Sequence, residues 1–159
     1  MADRTLCLLV RGDGHKREIL LGMKKRGFGQ GKWNGFGGKV QDGEGIIDAA
    51  KREVLEEAGV RVDGLEKMAI IDFSFPYKPE WDNRVHVFLT KVFEGEPVES
   101  EEMKPQWFSV TKIPYDRMWT PDTHWIPRVL GGEKIHASFT FKEGEQVDRY
   151  NIQSVSRLA

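Results

Sequence analysis

Residues 38–60 decide the fold of this chain and read GKVQDGEGIIDAAKREVLEEAGV. Glu53, Glu56 and Glu57 stand at positions i, i+3 and i+4, so a helix places their carboxylates on one face. Like charges this close repel one another, and a divalent cation would offset that repulsion. Mg²⁺ takes oxygen ligands and is usually held by a few carboxylates together with substrate phosphates. The stretch therefore predicts a helix that carries a magnesium site.

The helix that carries these glutamates is predicted over residues 44–58, with Gly59 as its C-terminal cap. The neighbouring sector of its surface is apolar, so one side can pack on a sheet while the other faces a cleft. This apolar stripe consists of Ile47, Ala50, Val54 and Ala58.

The rest of the chain favours a mixed α/β order. Apolar and alternating runs predict strands at residues 4–10, 17–23, 67–75, 84–93, 106–110, 134–142 and 147–152. Thr120 followed by Pro121 indicates the start of a second helix, and Pro127 indicates a kink or a later start. Seven glycines within residues 27–43 indicate a loop where backbone amides can approach a ligand.

The composition fits one soluble globular domain. The chain has 159 residues, of which 39% are hydrophobic and 31% are charged, and its formal net charge is -1. This balance gives no reason to expect a nucleic-acid polymer or a membrane as partner. The single cysteine, Cys7, rules out an intrachain disulfide and suits a reducing compartment. The cytoplasm is therefore the default expectation, with the nucleus and mitochondrion as alternatives.

The central segment also matches a known pattern, G-x5-E-x7-R-E-U-x-E-E-x-G-U, where U is an aliphatic residue. Its nine specified positions extend over 23 residues, from Gly38 to Val60. On these residues the chain is identified as a member of the Nudix family. The resemblance implies an α/β fold, the Nudix α/β/α sandwich with a mixed, strongly curved β-sheet and two main helices, as one domain over residues 1–159. It also implies hydrolysis of a nucleoside diphosphate linked to another group, with Mg²⁺ or alternatively Mn²⁺.

Hydrolysis of a phosphoanhydride needs charge neutralisation, an oriented water and a nearby base. The predicted catalytic residues are Arg52, Glu53, Glu56 and Glu57. We expect Arg52 to pair with a carboxylate and Glu57 to be the general base, although the base varies within the family. The metal ligands implied by the resemblance are the Gly37 carbonyl, Glu53, Glu56, Glu57 and Glu102. The alternative, a solvated helix face, leaves the glycine spacing unexplained.

The resemblance extends to one branch of the family, the animal MutT homologues that act on oxidised purine nucleoside triphosphates. It is carried by residues 20–29, 31–40 and 99–103 and by the Trp107-Phe108 and Met118-Trp119 pairs. Members of this branch convert substrates of the 8-oxo-dGTP and 2-hydroxy-dATP type to monophosphate plus pyrophosphate and so sanitise the nucleotide pool. The substrate-binding residues implied by this likeness are Thr5, Lys24, Phe28, Asn34, Phe36, Gly37, Gly38, Lys39, Phe73, Met103, Trp119 and Asp122.

The resemblance gives these residues different roles. Asn34 is expected to hydrogen-bond the edge of the base, Trp119 to stack on its face, and Asp122 to contact polar groups of the purine. The apolar walls are expected from Phe28, Phe73 and Met103. Lys24 and residues 36–39 would line the substrate side, with Thr5 near the pocket floor. Base stacking on an aromatic ring is worth about 1–3 kcal/mol.

The chain departs from this branch at Pro121. The branch has two adjacent aspartates after a Trp-Pro pair, whereas here Pro121 occupies the place of the first one and Asp122 the second. Proline has no polar side-chain group, so half of the acidic pair is absent. This predicts a narrowed or shifted purine preference.

Other functions are less favoured by the sequence. One alternative is a Nudix hydrolase of another substrate, such as ADP-ribose, a dinucleotide polyphosphate or a capped RNA end. A non-catalytic binding module is a further alternative, but such a module would be expected to lose the carboxylates retained here. The expected partner is a small nucleotide substrate, and a monomer is the simplest assembly.

Overall fold

The computed structural model describes residues 1–158 and shows two α-helices and ten strands within them. The helices are α1, Ile46–Ala58, and α2, Asp122–Leu130. The strands are β1 Ala2–Arg11, β2 Glu18–Lys24, β3 Trp33–Asn34, β4 Arg61–Asp63, β5 Glu66–Ser74, β6 Asn83–Thr90, β7 Val92–Glu94, β8 Met103–Ser109, β9 Lys134–Lys142 and β10 Gln146–Val155. Neither helix in this described part has the length and apolar character needed to cross a bilayer.

The main sheet is mixed. Its strands follow the order β10-β9-β5-β6-β1-β2-β3, and β8 pairs with β2. The pairs β1–β6 and β5–β9 are parallel, and the remaining pairs in this sheet are antiparallel. Strands β4 and β7 form a separate antiparallel pair. The mixed sheet with two helices confirms the predicted fold class.

The two faces of the main sheet each have an apolar core. On one face, α2 contributes Trp125, Ile126 and Val129 to a large cluster with β1, β5 and β9. On the other face, α1 packs Ala50, Val54 and Ala58 against β1 and the β4–β7 pair. The sheet therefore lies between the two helices, and each helix is held by burial of one apolar face.

The predicted apolar stripe of α1 was wrong at one position. Ile47 is 48% exposed, whereas Ala49 is fully buried. Ile46 packs on the core instead, because it stands four residues before Ala50 and thus on the same row of the helix.

The helix ends also differ slightly from prediction. Helix α1 starts at Ile46 rather than at residue 44, with Gly45 in an extended conformation before it. The Glu44 carboxylate instead accepts a hydrogen bond from the Gln41 backbone N–H at 3.1 Å. The predicted C-cap is confirmed, since Gly59 has a φ of 70° and donates its N–H to the Leu55 carbonyl. Helix α2 begins at Asp122, one residue after Pro121, so Pro127 lies inside the helix rather than near its start.

A glycine-rich segment, residues 35–38, runs along β1. The Phe36 carbonyl accepts the Cys7 N–H at 2.6 Å, and the Gly38 carbonyl accepts the Thr5 N–H at 2.8 Å. A Cβ added at Gly37 would lie 1.8 Å from the Thr5 carbonyl oxygen, so only glycine fits there. This close approach brings the segment beside α1.

Candidate active site

A cavity of about 720 Å³ opens between the glycine-rich segment, β5 and the start of α2. Its volume is in the range of ligand pockets. Every predicted substrate-binding residue except Phe36 lines it, together with Glu57 from α1. Those lining residues are Thr5, Lys24, Phe28, Asn34, Gly37, Gly38, Lys39, Phe73, Met103, Trp119 and Asp122.

Phe36 was expected to bind substrate, but it does not line the cavity. Its side chain is fully buried among the residues packed on α1, and it lies so close to Gly22 that a Cβ there would meet its ring at 2.8 Å. The strand-like pairing of its backbone with Cys7 turns the ring away from the cavity. Phe36 therefore packs the core and leaves substrate contact to its neighbours.

A second, smaller cavity of about 280 Å³ holds the acidic groups. It is lined by Arg26, Glu53, Glu56, Glu57, Ser100, Glu101 and Glu102. Glu57 lines both cavities, so the carboxylates of α1 and the large cavity meet at this residue.

Arg52 binds the carboxylates around it. Its guanidinium donates to both Glu44 oxygens, at 2.8 and 3.0 Å, and to Glu53 Oε1 at 2.9 Å. It also reaches Glu56 Oε2 at 3.3 Å and the Lys39 carbonyl at 3.2 Å. The hydrogen bond from Arg52 holds the pKa of Glu44 below its ordinary value. These hydrogen bonds from the Arg52 guanidinium fix the rotamers of the acidic side chains and join α1 to the segment before it.

Gly38 lies against the Glu53 carboxylate. A Cβ added to Gly38 would lie 2.5 Å from Glu53 Oε1, so a side chain at this position would displace the carboxylate. The glycine thus gives the acidic group room beside the backbone.

Glu57 is the most perturbed carboxylate of the group. Burial raises its pKa to about 8, and the charges of Glu53 and Glu102 act in the same direction. The Gly37 N–H opposes this by donating to Glu57 Oε1 at 2.9 Å. A nearby positive charge would favour the ionised form.

The acidic residues of the smaller cavity offer carboxylate oxygens, which are the ligands that hard divalent cations prefer. Across residues 1–158, however, no group of three or more His, Cys, Asp or Glu side chains converges tightly enough to hold an ion by itself. The Glu53 carboxylate bonds to Arg52, and that of Glu57 bonds to Gly37. This arrangement fits an ion such as Mg²⁺, which is usually held by one or two carboxylates together with substrate phosphates.

The lining of the large cavity also includes a buried acid, Asp122. Only 4% of this residue is exposed, and its Oδ1 accepts the Trp125 indole N–H at 3.1 Å. Its Oδ2 is buried without a hydrogen-bond partner within the described chain. Burial raises the pKa of Asp122 to about 7, against the opposing hydrogen bond from Trp125. The free oxygen can therefore donate or accept towards a ligand near neutral pH.

The Asp122–Trp125 pair could have been found from the sequence. The two residues stand at i and i+3 on a helix, which places them on one face. Trp125 is buried like an ordinary core residue, but its indole N–H also holds the acid.

Asn34 contributes a second polar group to the cavity. Its Oδ1 accepts the Gly35 N–H at 2.9 Å, which fixes the amide orientation and leaves the Nδ2 group free to donate to a base edge. Thr5 adds a buried hydroxyl with no hydrogen-bond partner in residues 1–158.

Aromatic rings surround the cavity. Phe28 and Trp119 are stacked with centroids 5.3 Å apart, and Phe28 also contacts Trp81 at 6.1 Å. Lys32 Nζ lies 5.0 Å from the centroid of the Trp119 ring. Trp81 and Lys32 were missed by the sequence reasoning. Trp81 belongs to no motif, and only the fold brings its loop to Phe28.

Comparison with known proteins identifies the class. The profile of the NUDIX domain matches residues 2–129, more than half of the chain. The protein therefore belongs to the Nudix family of hydrolases, which generally use divalent metal ions.

Two animal relatives are similar over nearly the whole chain. The chain is 48% identical to the oxidized purine nucleoside triphosphate hydrolase of Mus musculus, over 95% of this chain and 94% of the relative. It is 49% identical to the protein of the same name from Danio rerio, over 97% of this chain and 96% of the relative. Among solved structures, a MutT protein from Bacillus halodurans matches with a TM-score of 0.81 and 25% identity, over 96% of this chain and 97% of that one.

Proposed function

We propose that this Nudix protein hydrolyses oxidised purine nucleoside triphosphates to the monophosphate and pyrophosphate, and so removes them from the nucleotide pool. The observation that carries the proposal is the shared cavity, whose lining includes Asp122, Asn34 and Trp119 as well as Glu57. A purine bound by the first three residues can direct its phosphates to Glu57. The names of the two animal relatives support this substrate class.

Recognition of the base follows from the polar and aromatic groups. Trp119 offers a flat face, and stacking contributes about 1–3 kcal/mol. The Asn34 amide donates to the base edge, while Asp122 donates or accepts through Oδ2. A base that leaves these buried groups unpaired is rejected, because each unpaired group costs about 1–3 kcal/mol.

Binding of the phosphates is proposed beside Glu57. Lys24 and Lys39 line the same cavity and supply positive charge. The ligands proposed for a divalent cation, Mg²⁺, are drawn from Glu53, Glu56, Glu57, Glu102 and the Gly37 carbonyl, with the substrate phosphates completing the shell. The bound ion would neutralise the phosphate charge. Arg52 keeps the first two of these carboxylates in place.

Glu57 is proposed as the general base. Its second oxygen is left free by the Gly37 hydrogen bond and can accept the proton of the attacking water. The water oxygen forms a new bond to phosphorus as the bridging P–O bond between the α and β phosphates breaks. The leaving group is then pyrophosphate, which carries away the electron pair of the broken bond.

The purine preference is proposed to be narrow. Pro121 lines the cavity beside Asp122 but offers no polar side-chain group. The purine is thus read by one carboxyl, whose single proton suits one hydrogen-bonding pattern at a time. We expect unequal kcat/KM values for 8-oxo-dGTP and 2-hydroxy-dATP.

A substrate panel tests the proposal. The kcat/KM would be measured for normal and oxidised purine triphosphates, ADP-ribose, a dinucleotide polyphosphate and a capped RNA, with detection of pyrophosphate. Preference for an oxidised purine triphosphate with release of pyrophosphate is expected. Orthophosphate or a sugar phosphate as the main product, or preference for another substrate, would contradict it.

Glu56→Gln checks the role of the carboxylates. Glu56 contacts Arg52 at the surface, with 58% of its side chain exposed, so the change preserves the fold. We expect kcat/KM to fall by about 100-fold or more. Glu66→Gln is a matched control, because Glu66 is 61% exposed and pairs with Lys134 away from both cavities. Full activity of Glu56→Gln would overturn the metal site.

We propose that the whole chain acts as one domain. This is supported by the pairing of β9 with β5, which carries Phe73 of the cavity lining.

A monomer is supported by β10, an edge strand with a bulge between Val147 and Arg149, since bulges discourage edge pairing. Light scattering tests the monomer. A cytoplasmic location rests on the single buried cysteine and is tested by cell fractionation.

A further inference from the structure

A short loop brings further acidic groups to the carboxylates of α1. This acidic loop, residues 99–102, precedes β8 and contains Glu99, Ser100, Glu101 and Glu102. Three of its residues line the same cavity as Glu53, Glu56 and Glu57. Like charges repel, so the loop needs groups that hold it against α1.

Ser100 joins the acidic loop to the end of α1. Its Oγ donates to the Glu57 carbonyl at 3.2 Å and accepts the Met103 N–H at 3.1 Å. The Glu57 carbonyl is among the last four of the helix, which have no partner within the helix itself. The neighbouring Val98 N–H donates to the Ala58 carbonyl at 2.9 Å. The loop is therefore fixed to the helical turn that carries Glu57.

Lys25 holds the loop from the other side. Its Nζ donates to Glu99 Oε2 at 2.5 Å and to the Ser100 carbonyl at 2.9 Å. Its backbone N–H donates to the Glu102 carbonyl at 2.7 Å. Lys25 thus contacts both ends of the acidic loop, and 33% of its side chain is exposed.

We propose that Ser100 and Lys25 are positioning residues, which hold Glu102 beside Glu57 so that both carboxylates can serve one divalent cation. The inference rests on the proposed function, because it needs the metal site described there. Neither residue touches the substrate in this role. Groups that orient metal ligands change metal affinity or activity by about 10- to 100-fold when they are removed.

The test measures binding of Mn²⁺ alone, without nucleotide, by electron paramagnetic resonance. Ser100→Ala and Lys25→Met are expected to raise the Mn²⁺ dissociation constant by about 10-fold. Ser100→Thr keeps the hydroxyl and Lys25→Arg keeps the positive charge, so both variants should retain most of the wild-type Mn²⁺ affinity. The same order should appear in the Mg²⁺ concentration needed for half-maximal turnover.

Matched controls come from the same chain. Ser109 accepts the Thr111 N–H at 3.3 Å in a similar local turn, but it lines neither cavity, so Ser109→Ala should keep wild-type Mn²⁺ affinity. Lys134, with 36% of its side chain exposed, pairs with Glu66 at 3.9 Å, and Lys134→Met should behave likewise.

A double-mutant cycle separates positioning from general stability. If Ser100 acts through Glu102, Ser100→Ala should weaken Mn²⁺ binding little further in a Glu102→Gln background. Wild-type Mn²⁺ affinity in Ser100→Ala and Lys25→Met would overturn the inference. A lowered Tm with unchanged affinity of the folded protein would also overturn it. If Glu56→Gln leaves Mn²⁺ affinity unchanged too, the proposed metal site itself fails along with the inference.

Discussion

Replacing Asp122 with asparagine should remove a pH dependence of stability that the buried acid creates. The pKa of Asp122 is about 7 in the folded protein, whereas an aspartate in an unfolded chain has a pKa of about 3.9. Between these values the folded state keeps a proton that the unfolded state has lost. Stability contributed by this group is therefore complete below about pH 4 and is lost as the pH rises towards 7. The difference of about 3 between the two pKa values corresponds to about 4 kcal/mol.

An asparagine side chain has no charge at any pH and can still accept the Trp125 indole N–H. The free energy of unfolding of Asp122→Asn should therefore rise relative to wild type by about 4 kcal/mol at most between pH 4 and pH 8. Urea denaturation followed by circular dichroism at half-unit pH steps measures this difference. Asp116→Asn, which removes an exposed carboxylate, is the control and should leave the pH profile unchanged. A constant difference between wild type and Asp122→Asn across the pH range would refute the reasoning.

Three further changes are informative. In Gly37→Ala the new methyl would lie 1.8 Å from the Thr5 carbonyl oxygen, so thermal denaturation should show a loss of about 3 kcal/mol or failure to fold. In Gly38→Ala the new methyl meets the end of the flexible Glu53 side chain instead, so Tm should change little while activity falls. Equal losses of stability in Gly37→Ala and Gly38→Ala would contradict this contrast. Trp119→Ala should raise KM for an oxidised purine triphosphate by about 10- to 100-fold through lost stacking, with a smaller change in kcat. An unchanged KM in steady-state assays would show that Trp119 does not contact the base.

Much of the fold follows from local patterns in the sequence. The carboxylate and alanine spacing identifies α1, and Gly59 marks its end, because only glycine adopts the left-handed cap readily. The long strands β5 and β9 were located within one residue from their apolar residues. The start of β8 was missed because Pro105 lies in it, and proline is tolerated there since β8 is an edge strand paired only with β2.

Other elements depend on contacts that no local pattern contains. Strands β3, β4 and β7 have only two or three residues and exist because a partner strand pairs with them. The predicted strand over residues 84–93 is divided, because Thr90 bonds its hydroxyl to the backbone around Val92.

Part of the candidate site could also be predicted from the sequence. Eleven of the twelve expected substrate-binding residues line the cavity, because the motif and the resemblance to the branch identify them. The prediction for Phe36 was wrong because the strand-like pairing of its backbone with Cys7 determines which way its ring points. The contact of Lys25 with Glu99 joins residues 74 apart in sequence, so no spacing rule could show it.

We expect one bound nucleotide to extend from Asp122 and Trp119 to Glu57. The most direct test is a crystal structure with Mg²⁺ and a non-hydrolysable analogue of 8-oxo-dGTP. We expect the purine to stack on Trp119 and hydrogen-bond Asp122, with its phosphates and the ion at the α1 carboxylates. Phosphates directed away from Glu57, or a base outside the aromatic end, would contradict the account.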